Sequence, residues 1–455
     1  MRTNPADILT KGMYHRLFPD HLRITPNLKE VYELALAFYE SRILDEDEII
    51  RNGAYFSRVG DKYTHHFLMC TGDPVRLPHY SSSRLKSFFE DNQFRTGYST
   101  HGLFPYRGKF HPQMVKAIIN IMGLKSGDTI LDPMMGSGTV LIEAALMGIK
   151  SFGLDASPFC RFMTQTKLDA FTLPLDSLYK ALKNYRILFQ YFSNLKNCAL
   201  PGNDKSKAGS SLNYDDAVKR SSPDLQSGNY GQYIEAVESN DIRVHNFLLL
   251  AYFDSKGYSQ RSKRKNSLEL FHKILERYIF VIEKIQQVLH SLKLKQTRAT
   301  AIQGDTRFLP FAAQSMDGIL FSPPYSFAID YLKNDSSHLD FMNADVSRLQ
   351  EIMVGLRGRT IKDKYNFYVE DMNKVLSECA RVLRPACFCT IIIGTNDNQL
   401  SKALRIPKEQ VKGLHMVLTD IAVKHGFTPV RLLPRQISGI SNTMRSEYIV
   451  ILQKV

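Results

Sequence analysis

The order of apolar and polar residues predicts strands and helices that alternate along two parts of the chain. Residues 150–155 and 316–321 form short apolar runs that are typical of buried strands. Apolar residues at helical spacing predict amphipathic helices over residues 113–122 and 140–147. This alternation indicates a doubly wound, mainly parallel sheet.

The same pattern continues towards the end of the chain. Residues 299–305 and 387–393 predict two more strands, and residues 368–383 predict a helix between them. Two final apolar runs, 428–433 and 447–452, are interpreted as a terminal hairpin.

Two segments lack this alternation, and they divide the chain into regions. Residues 1–100 are expected to form a helical N-terminal extension, with one helix over residues 28–39. Residues 161–298 are too long for one crossover connection and are expected to form a mostly helical insert. The sheet domain would then comprise residues 101–160 and 299–455.

Composition narrows the class of protein. Of the 455 residues, 44% are hydrophobic and 23% are charged, which is ordinary for a soluble globular protein. The chain contains no run of about 18 apolar residues that could span a membrane, and its first residues lack the apolar segment of a signal peptide. The six cysteines show no metal-ligand spacing. We therefore expect a cytoplasmic protein with neither a membrane partner nor a metal site.

The chain is strongly basic, with a formal net charge of +14. This excess favours nucleic acid as a partner, and solubility alone is the alternative explanation. The basic run 256–265, which includes Tyr258, suits contacts with nucleic-acid phosphates, and Arg84, Lys86 and Arg95 are further candidates. A solvated charged loop is the alternative for each of them.

The first motif that carries candidate chemistry is a glycine turn between a predicted strand and a predicted helix. Gly136 and Gly138 can adopt backbone angles closed to other residues, so the loop can pass close to a ligand. The turn matches neither G-x-G-x-x-G nor a loop ending in Gly-Lys-Ser/Thr. Asp132 before the turn favours a ligand with positive charge over one rich in phosphate. Asp155 ends the next strand, where a carboxylate can reach ribose hydroxyls.

The second motif, Ser322-Pro-Pro-Tyr325, follows a predicted apolar strand. Its prolines leave a rigid run of carbonyl acceptors, Ser322 adds a hydroxyl, and Tyr325 adds a flat ring. Acceptors beside a ring suit a planar base with an exocyclic amine, because they favour the tetrahedral nitrogen of a transition state. A proline turn that only ends the strand is the alternative for the motif alone.

Together, Asp132-Pro-Met-Met-Gly-Ser-Gly-Thr139 and Ser322-Pro-Pro-Tyr325 resemble the S-adenosylmethionine-dependent amino-methyltransferases of DNA. The Ser-Pro-Pro-Tyr form is typical of their N4-cytosine branch, and the segment from His101 to Pro112 is similar to the one before the glycine loop in that family. The resemblance implies an α/β fold with a doubly wound, mainly parallel, seven-stranded Rossmann-like methyltransferase sheet. A terminal antiparallel hairpin and helical N-terminal and central insertions complete this expected fold.

The resemblance also implies roles for single residues. S-adenosylmethionine would be bound by Phe110, Pro112, Asp132, Pro133, Gly136, Ser137, Gly138, Thr139, Asp155 and Asp305. Within this set, Asp155 would take the ribose hydroxyls, and Asp305 would lie near the adenine amine. A cytosine flipped out of double-stranded DNA would be held by Ser322, Pro323, Pro324 and Tyr325. The central insert would recognise the target, and a cognate restriction endonuclease is a candidate partner.

Other functions remain open. Many N4-cytosine enzymes place the Ser-Pro-Pro-Tyr segment before the glycine loop, whereas here it follows. An RNA guanine-N2 methyltransferase acting on tRNA shares the order found here, and DNA adenine-N6 methyltransferases are related. Ser322 in place of Asp or Asn argues against both. A nucleic-acid-binding protein without activity is a third alternative, although the intact motifs argue against it. Arg357 and Arg359 are candidate contacts with DNA phosphate, with an exposed charged loop as the alternative.

Overall fold

The computed structural model describes residues 13, 16–28, 30–71, 97–106, 108–195, 229–261, 266–324, 331–436 and 446–455. Within these ranges, no helix is long and apolar enough to cross a membrane. Tyr325, the candidate DNA contacts Arg84, Lys86 and Arg95, and residues 262–265 of the basic run lie outside the described residues.

The strands form two sheets. In chain order they are β1 Leu22–Ile24, β2 Phe56–Val59, β3 Lys62–Tyr63, β4 Thr129–Asp132, β5 Lys150–Asp155, β6 Ala299–Gln303, β7 Met316–Phe321, β8 Leu383–Gly394, β9 Phe427–Gln436 and β10 Ser446–Lys454. The large sheet has the order β6-β5-β4-β7-β8-β10-β9. Its first five strands are parallel, and β10 is antiparallel to both β8 and β9. The predicted seven-stranded, mainly parallel sheet with a terminal hairpin is confirmed.

Helices surround this sheet. They are α1 Val31–Ile43, α2 Glu46–Asn52, α3 His65–Thr71, α4 Pro112–Ile121, α5 Thr139–Leu146, α6 Pro158–Asp169, α7 Leu175–Lys183, α8 Tyr185–Asn194, α9 Asn229–Val237, α10 Ile242–Arg261, α11 Ser267–Ser291, α12 Tyr331–Asn334, α13 Ser336–Phe341, α14 Val346–Ile352, α15 Ile361–Val382, α16 Asp397–Leu404 and α17 Leu414–Lys424. The segment expected to be a helical insert contains α7 to α11, whose apolar and aromatic side chains form one core with those of α6.

The N-terminal region packs against α4 of the sheet domain. Glu40 on α1 is fully buried and accepts the backbone N–H groups of Ala54 and Tyr55, at 2.9 and 3.2 Å, and the Nδ2 group of Asn120 on α4, at 2.6 Å. Burial raises the pKa of Glu40 to about 7 against the effect of these hydrogen bonds. The region is helical as expected, but it also contains the small antiparallel sheet β1–β3, which the sequence pattern did not predict.

The order of the large sheet fixes the position of a ligand cleft. The chain leaves β4 in one direction to build β5 and β6, and in the other to build β7 and β8. Ligands of doubly wound sheets bind outside the carboxyl ends of the strands at this point of reversal. β4 and β7 are paired, with Leu131 opposite Ile319. Asp132, the last residue of β4, and Ser322, the first residue after β7, therefore lie at neighbouring strand ends.

Candidate active site

A single cleft at the carboxyl ends of the parallel strands contains parts of both sequence motifs. The described residues that line it are Tyr106, Gly108, Pro133, Met134, Gly136, Asp155, Ala156, Thr306, Ser322, Pro324, Ile352, Met353 and Val354. The glycine turn and the Ser322 segment are almost 190 residues apart in sequence, and the sheet places both in one cavity.

The glycine turn is held tightly against α6. Gly136 and Gly138 have φ angles of +48° and +76°, in the left-handed region that favours glycine. A Cβ atom on Gly138 would lie only 2.4 Å from Cγ2 of Thr164, so no side chain fits there. Thr164 also donates its hydroxyl to the carbonyl oxygen of Gly136 at 3.0 Å. These contacts fix the shape of the loop.

Asp155 joins the second strand to this loop. Its carboxylate accepts the N–H of Gly136 at 3.0 Å and that of Ser157 at 2.9 Å. Burial raises the pKa of Asp155, and these two hydrogen bonds oppose the rise. A carboxylate has about four lone-pair positions, so Asp155 can accept further hydrogen bonds from a ligand in the cleft.

The other predicted residues of the glycine turn lie behind the cleft surface. Asp132 is 1% exposed and accepts the N–H of Met134 at 3.0 Å, an arrangement that shapes the turn. Burial raises the pKa of Asp132 well above its usual range. Ser137, Gly138 and Thr139 are likewise buried, and none of the three lines the cleft. From the turn, Pro133, Met134 and Gly136 line it.

Three further predicted cofactor residues, beyond those of the glycine turn, also lie outside the cleft lining. Phe110 packs against the core beneath the sheet, and Pro112 is the buried first residue of α4. The carboxylate of Asp305 is held by Arg307, whose Nε and Nη2 atoms lie 2.9 and 2.6 Å from it. The neighbouring Thr306 lines the cleft instead.

Tyr106 and Gly108 line the cleft from the segment that contains Phe110 and Pro112. The Cε1 atom of Tyr106 lies 3.4 Å from the position of a Cβ on Gly136, and its hydroxyl is 3.3 Å from Sγ of Cys160. The ring therefore covers the glycine turn. The segment was singled out in the sequence, but nothing in it showed that Tyr106 would supply the contact.

The described part of the Ser322-Pro-Pro-Tyr325 motif lies opposite an apolar wall of the cleft. Ser322 and Pro324 line the cavity, and Pro323 is buried behind them. The wall, which we define as Ile352, Met353 and Val354, is mainly apolar. It approaches the motif closely, since a Cβ on the following Gly355 would lie 3.7 Å from Cβ of Pro324.

The carboxylate of Asp371 on α15 holds this wall in place. This buried group accepts Nη1 of Arg307 at 3.0 Å and Nη2 of Arg357 at 2.5 Å. Arg307 follows Thr306, and Arg357 follows the wall, so one carboxylate fixes two sides of the cleft. The guanidinium of Arg357 also lies 4.5 Å from the ring centre of Phe367. Arg357, a predicted phosphate contact, is thus engaged within the protein, whereas Arg359 is exposed.

A buried polar cluster supports α5 from the opposite side. Glu143 accepts Nε2 of His101 at 2.7 Å and the hydroxyl of Tyr98, and Nζ of Lys116 lies 3.7 Å away. Burial raises the pKa of Glu143, but the His101 hydrogen bond and the Lys116 charge outweigh it and leave the pKa at about 2. Burial lowers the pKa of His101 to about 4, so the imidazole is neutral at pH 7. The cluster anchors the segment that leads to Tyr106.

Comparisons with known proteins fit this geometry. A family model described as UPF0020, RMKL-like methyltransferase domain, matches residues 103–211. The type II methyltransferase M.MjaII of Methanocaldococcus jannaschii is 44% identical over 73 residues, which cover 16% of this chain and 14% of that protein. M.BsoBI of Geobacillus stearothermophilus, also a type II methyltransferase, is 38% identical over 85 residues, or 19% and 17% of the two chains.

RNA-modifying enzymes match as well. The tRNA (guanine(10)-N2)-dimethyltransferase of Methanothermobacter thermautotrophicus is 46% identical over 52 residues, which cover 11% of this chain and 16% of that protein. Each alignment thus spans well under a fifth of the relative. An S-adenosylmethionine-dependent methyltransferase structure from Methanosarcina mazei aligns with 73% of this chain and 94% of its own, at 10% identity and a TM-score of 0.31, which is too low to argue from.

The match of residues 103–211 to a methyltransferase family model and the order of the sheet indicate S-adenosylmethionine as the cofactor, in agreement with the cofactor prediction. The residues present fit this cofactor. Asp155 has acceptor positions for ribose hydroxyls, and the absence of a side chain at Gly136 keeps the space beside Tyr106 open. No local pattern in the sequence indicated Thr306 or the apolar wall, because their place in the cleft depends on packing between distant segments.

Proposed function

We propose that this protein transfers a methyl group from S-adenosylmethionine to the N4 amine of a cytosine flipped out of a specific sequence in double-stranded DNA. One observation carries the proposal: Ser322 and Pro324 line the same cleft as Gly136 and Asp155. The amine site and the cofactor site are therefore adjacent. The matches to type II methyltransferases support a restriction-modification setting with a cognate endonuclease.

The chemistry required of the chain is modest. When bound, S-adenosylmethionine supplies an electrophilic methyl group. The cytosine amine is a poor nucleophile because its lone pair is delocalised into the ring. The hydroxyl of Ser322 and the carbonyls of the proline motif would accept its N–H groups and favour a tetrahedral nitrogen. The methyl carbon would exchange its bond to the sulfonium sulfur for a bond to N4, with S-adenosylhomocysteine as the leaving group. The extra proton on the nitrogen would pass to solvent after the transfer. The wall of Ile352, Met353 and Val354 would exclude water from this step.

A second candidate function has its own support. Two tRNA (guanine(10)-N2)-dimethyltransferases match short stretches of this chain, and here the glycine turn precedes the proline motif, as in enzymes of that kind. Guanine also presents an exocyclic amine on a planar ring. Ser322, where Asp or Asn would be expected for guanine or adenine, favours cytosine.

Identification of the methylated nucleoside tests the proposal. The protein is incubated with labelled S-adenosylmethionine and either duplex DNA or tRNA, and the nucleic acid is then digested and analysed. We expect N4-methylcytosine from DNA. Label in N2-methylguanine or N6-methyladenine would contradict the cytosine assignment, and no label in either substrate would favour a binding protein.

Substitution at the motif tests the site itself. Ser322→Ala removes one hydrogen-bond acceptor and is expected to reduce kcat about 100-fold, with cofactor affinity retained. Ser347→Ala, at an exposed position on α14, is the control. If Ser322→Ala kept full turnover, the hydroxyl of Ser322 would have no role in the mechanism.

A further inference from the structure

The helical insert carries a surface in which aromatic rings and cations alternate. We call this surface the insert face and define it as Tyr185, Arg186, Phe189, Lys256 and His272. Tyr185 stacks on His272 with ring centres 4.3 Å apart, and Arg186 lies 5.5 Å from the ring centre of Tyr185. One helical turn along α8, Phe189 lies 5.4 Å from Nζ of Lys256 on α10. Three helices thus contribute to one continuous surface.

Arg186 and Lys256, the cations of the insert face, form no ion pair with a carboxylate of the described residues. Among the described residues, no ion pair involves Arg186 or Lys256, whereas the nearby Arg277 pairs with the buried Asp254. The charges that act on His272 come from Lys273 and Arg186, and with burial they lower its pKa. A ring beneath a cation restricts its position but leaves its N–H donors free. Such a surface suits a polyanion.

The insert also packs against α13, the helix of the sheet domain nearest in the chain to the described end of the Ser322 motif, apart from the short α12. Phe253 on α10 is 5.0 Å from His338 and 5.0 Å from Phe341, measured between ring centres. Both belong to α13, which follows the Ser322 motif in the chain. Lys256 is three residues beyond Phe253 and therefore on the same side of α10, about 4.5 Å further along its axis.

We propose that the insert face binds the sugar-phosphate backbone of the duplex DNA whose base enters the cleft. The proposal rests on the proposed function, and it names the surface that holds the substrate. Arg186 and Lys256 donate hydrogen bonds to phosphate oxygens, and the rings of Tyr185 and Phe189 hold the two cations at a fixed spacing. The contact is independent of base sequence, since it reads phosphate alone.

Charge reversal tests the proposal. The variant Arg186→Glu/Lys256→Glu is compared with Lys402→Glu/Lys424→Glu, which makes the same change in net charge at exposed positions on α16 and α17. Binding of a fluorescent DNA duplex is measured against salt concentration. Loss of two phosphate contacts is expected to reduce the slope of log Kd against log salt by about two. The substrate KM rises, and kcat at saturating DNA stays unchanged.

Several results would overturn the proposal. Equal loss of DNA binding in both double variants would mean that net charge alone matters. Loss of binding to an RNA hairpin but not to the duplex would assign the insert face to RNA. Circular dichroism shows whether the charge reversal disturbs folding. If it does, Arg186→Gln/Lys256→Gln replaces that variant and should give the same change in slope. Binding needs no turnover, so failure of the cytosine assignment is recognised separately by nucleoside analysis of the unmodified protein.

Discussion

Two carboxylates, Asp155 at the end of β5 and Asp305 two residues beyond the end of the neighbouring β6, have different surroundings. Asp155 accepts the backbone N–H groups of Gly136 and Ser157, has no arginine partner among the ion pairs of the described residues, and lines the cleft. Asp305 is bound by the two nitrogen atoms of Arg307 and does not line it. The resemblance implies a cofactor contact for both residues, whereas the geometry favours Asp155.

Cofactor affinity separates these two roles. Asp155→Asn places an NH2 group against one of the two N–H donors, removes a charged acceptor, and is expected to weaken S-adenosylmethionine binding about 10- to 100-fold. Asp305→Asn is expected to change this Kd by less than about threefold, because Thr306, not Asp305, lines the cleft. Titration calorimetry gives both values. An equal loss of S-adenosylmethionine affinity in the two variants would support the contact between Asp305 and the adenine amine that the resemblance implies.

Among the structural elements, the middle of α15, where Asp371 lies, holds two sides of the cleft in position. Asp371→Asn leaves Arg307 and Arg357 without their shared carboxylate, and we expect the free energy of unfolding to fall by about 3 kcal/mol. Because the wall is then released, the KM for nucleic acid should rise more than kcat falls. Denaturant unfolding and steady-state kinetics measure these effects.

The neighbouring Glu370 provides a matched control for Asp371. Its carboxylate pairs only with Lys374, one turn along α15 on the exposed side. Glu370→Gln should therefore leave both stability and KM unchanged, since exposed pairs of this kind contribute little. If Asp371→Asn behaved like Glu370→Gln, the carboxylate would not position the wall.

The central strands and helices could be predicted because burial gives them long, regular patterns. The predicted bounds of β5 and β7 agree with those observed. The helix predicted to begin at residue 368 begins at Ile361, where the side chains of Thr360 and Asp363 form a capping box. The polar first turns hid this start, although Thr360 and Asp363 have the spacing that signals it. β1, β2 and β3 have 3, 4 and 2 residues, too few to show a period.

At the scale of the whole molecule, the sequence revealed the two motifs but not what surrounds them. Ser322 and Gly136 were predictable because their local chemistry is unusual. Thr306 and the wall belong to ordinary stretches that reach the cleft only through Arg307, Arg357 and Asp371, a network that spans residues 305 to 371. Local patterns carry no information on such contacts, whereas the strand order, once known, brings both motifs to one edge.

Buried histidines make a contribution to the free energy of unfolding that falls as the solution becomes acidic. Burial lowers the pKa of His66 to about 3, and those of His101, His111 and His245 to about 4. Between these values and 6.5, the unfolded chain binds protons that the folded chain does not, so the free energy of unfolding falls as pH decreases through this window. Buried carboxyl groups act in the opposite direction: the pKa values of Glu40 and Asp335 are raised to about 7, and those of Asp132 and Asp155 are raised as well.

Urea unfolding at a series of pH values between 4 and 7 measures the contribution of a single histidine when one variant is compared with the unmodified protein. His245→Phe tests one contribution, since this imidazole lies among the rings of Tyr191, Phe192 and Tyr233. The variant loses the hydrogen bond with Tyr191 at every pH, but its stability should depend less on pH, by about 1.4 kcal/mol per pH unit between pH 4 and 6.5. His290→Phe, at the exposed end of α11, is the control. An unchanged pH dependence in His245→Phe would mean that His245 is protonated in the folded protein.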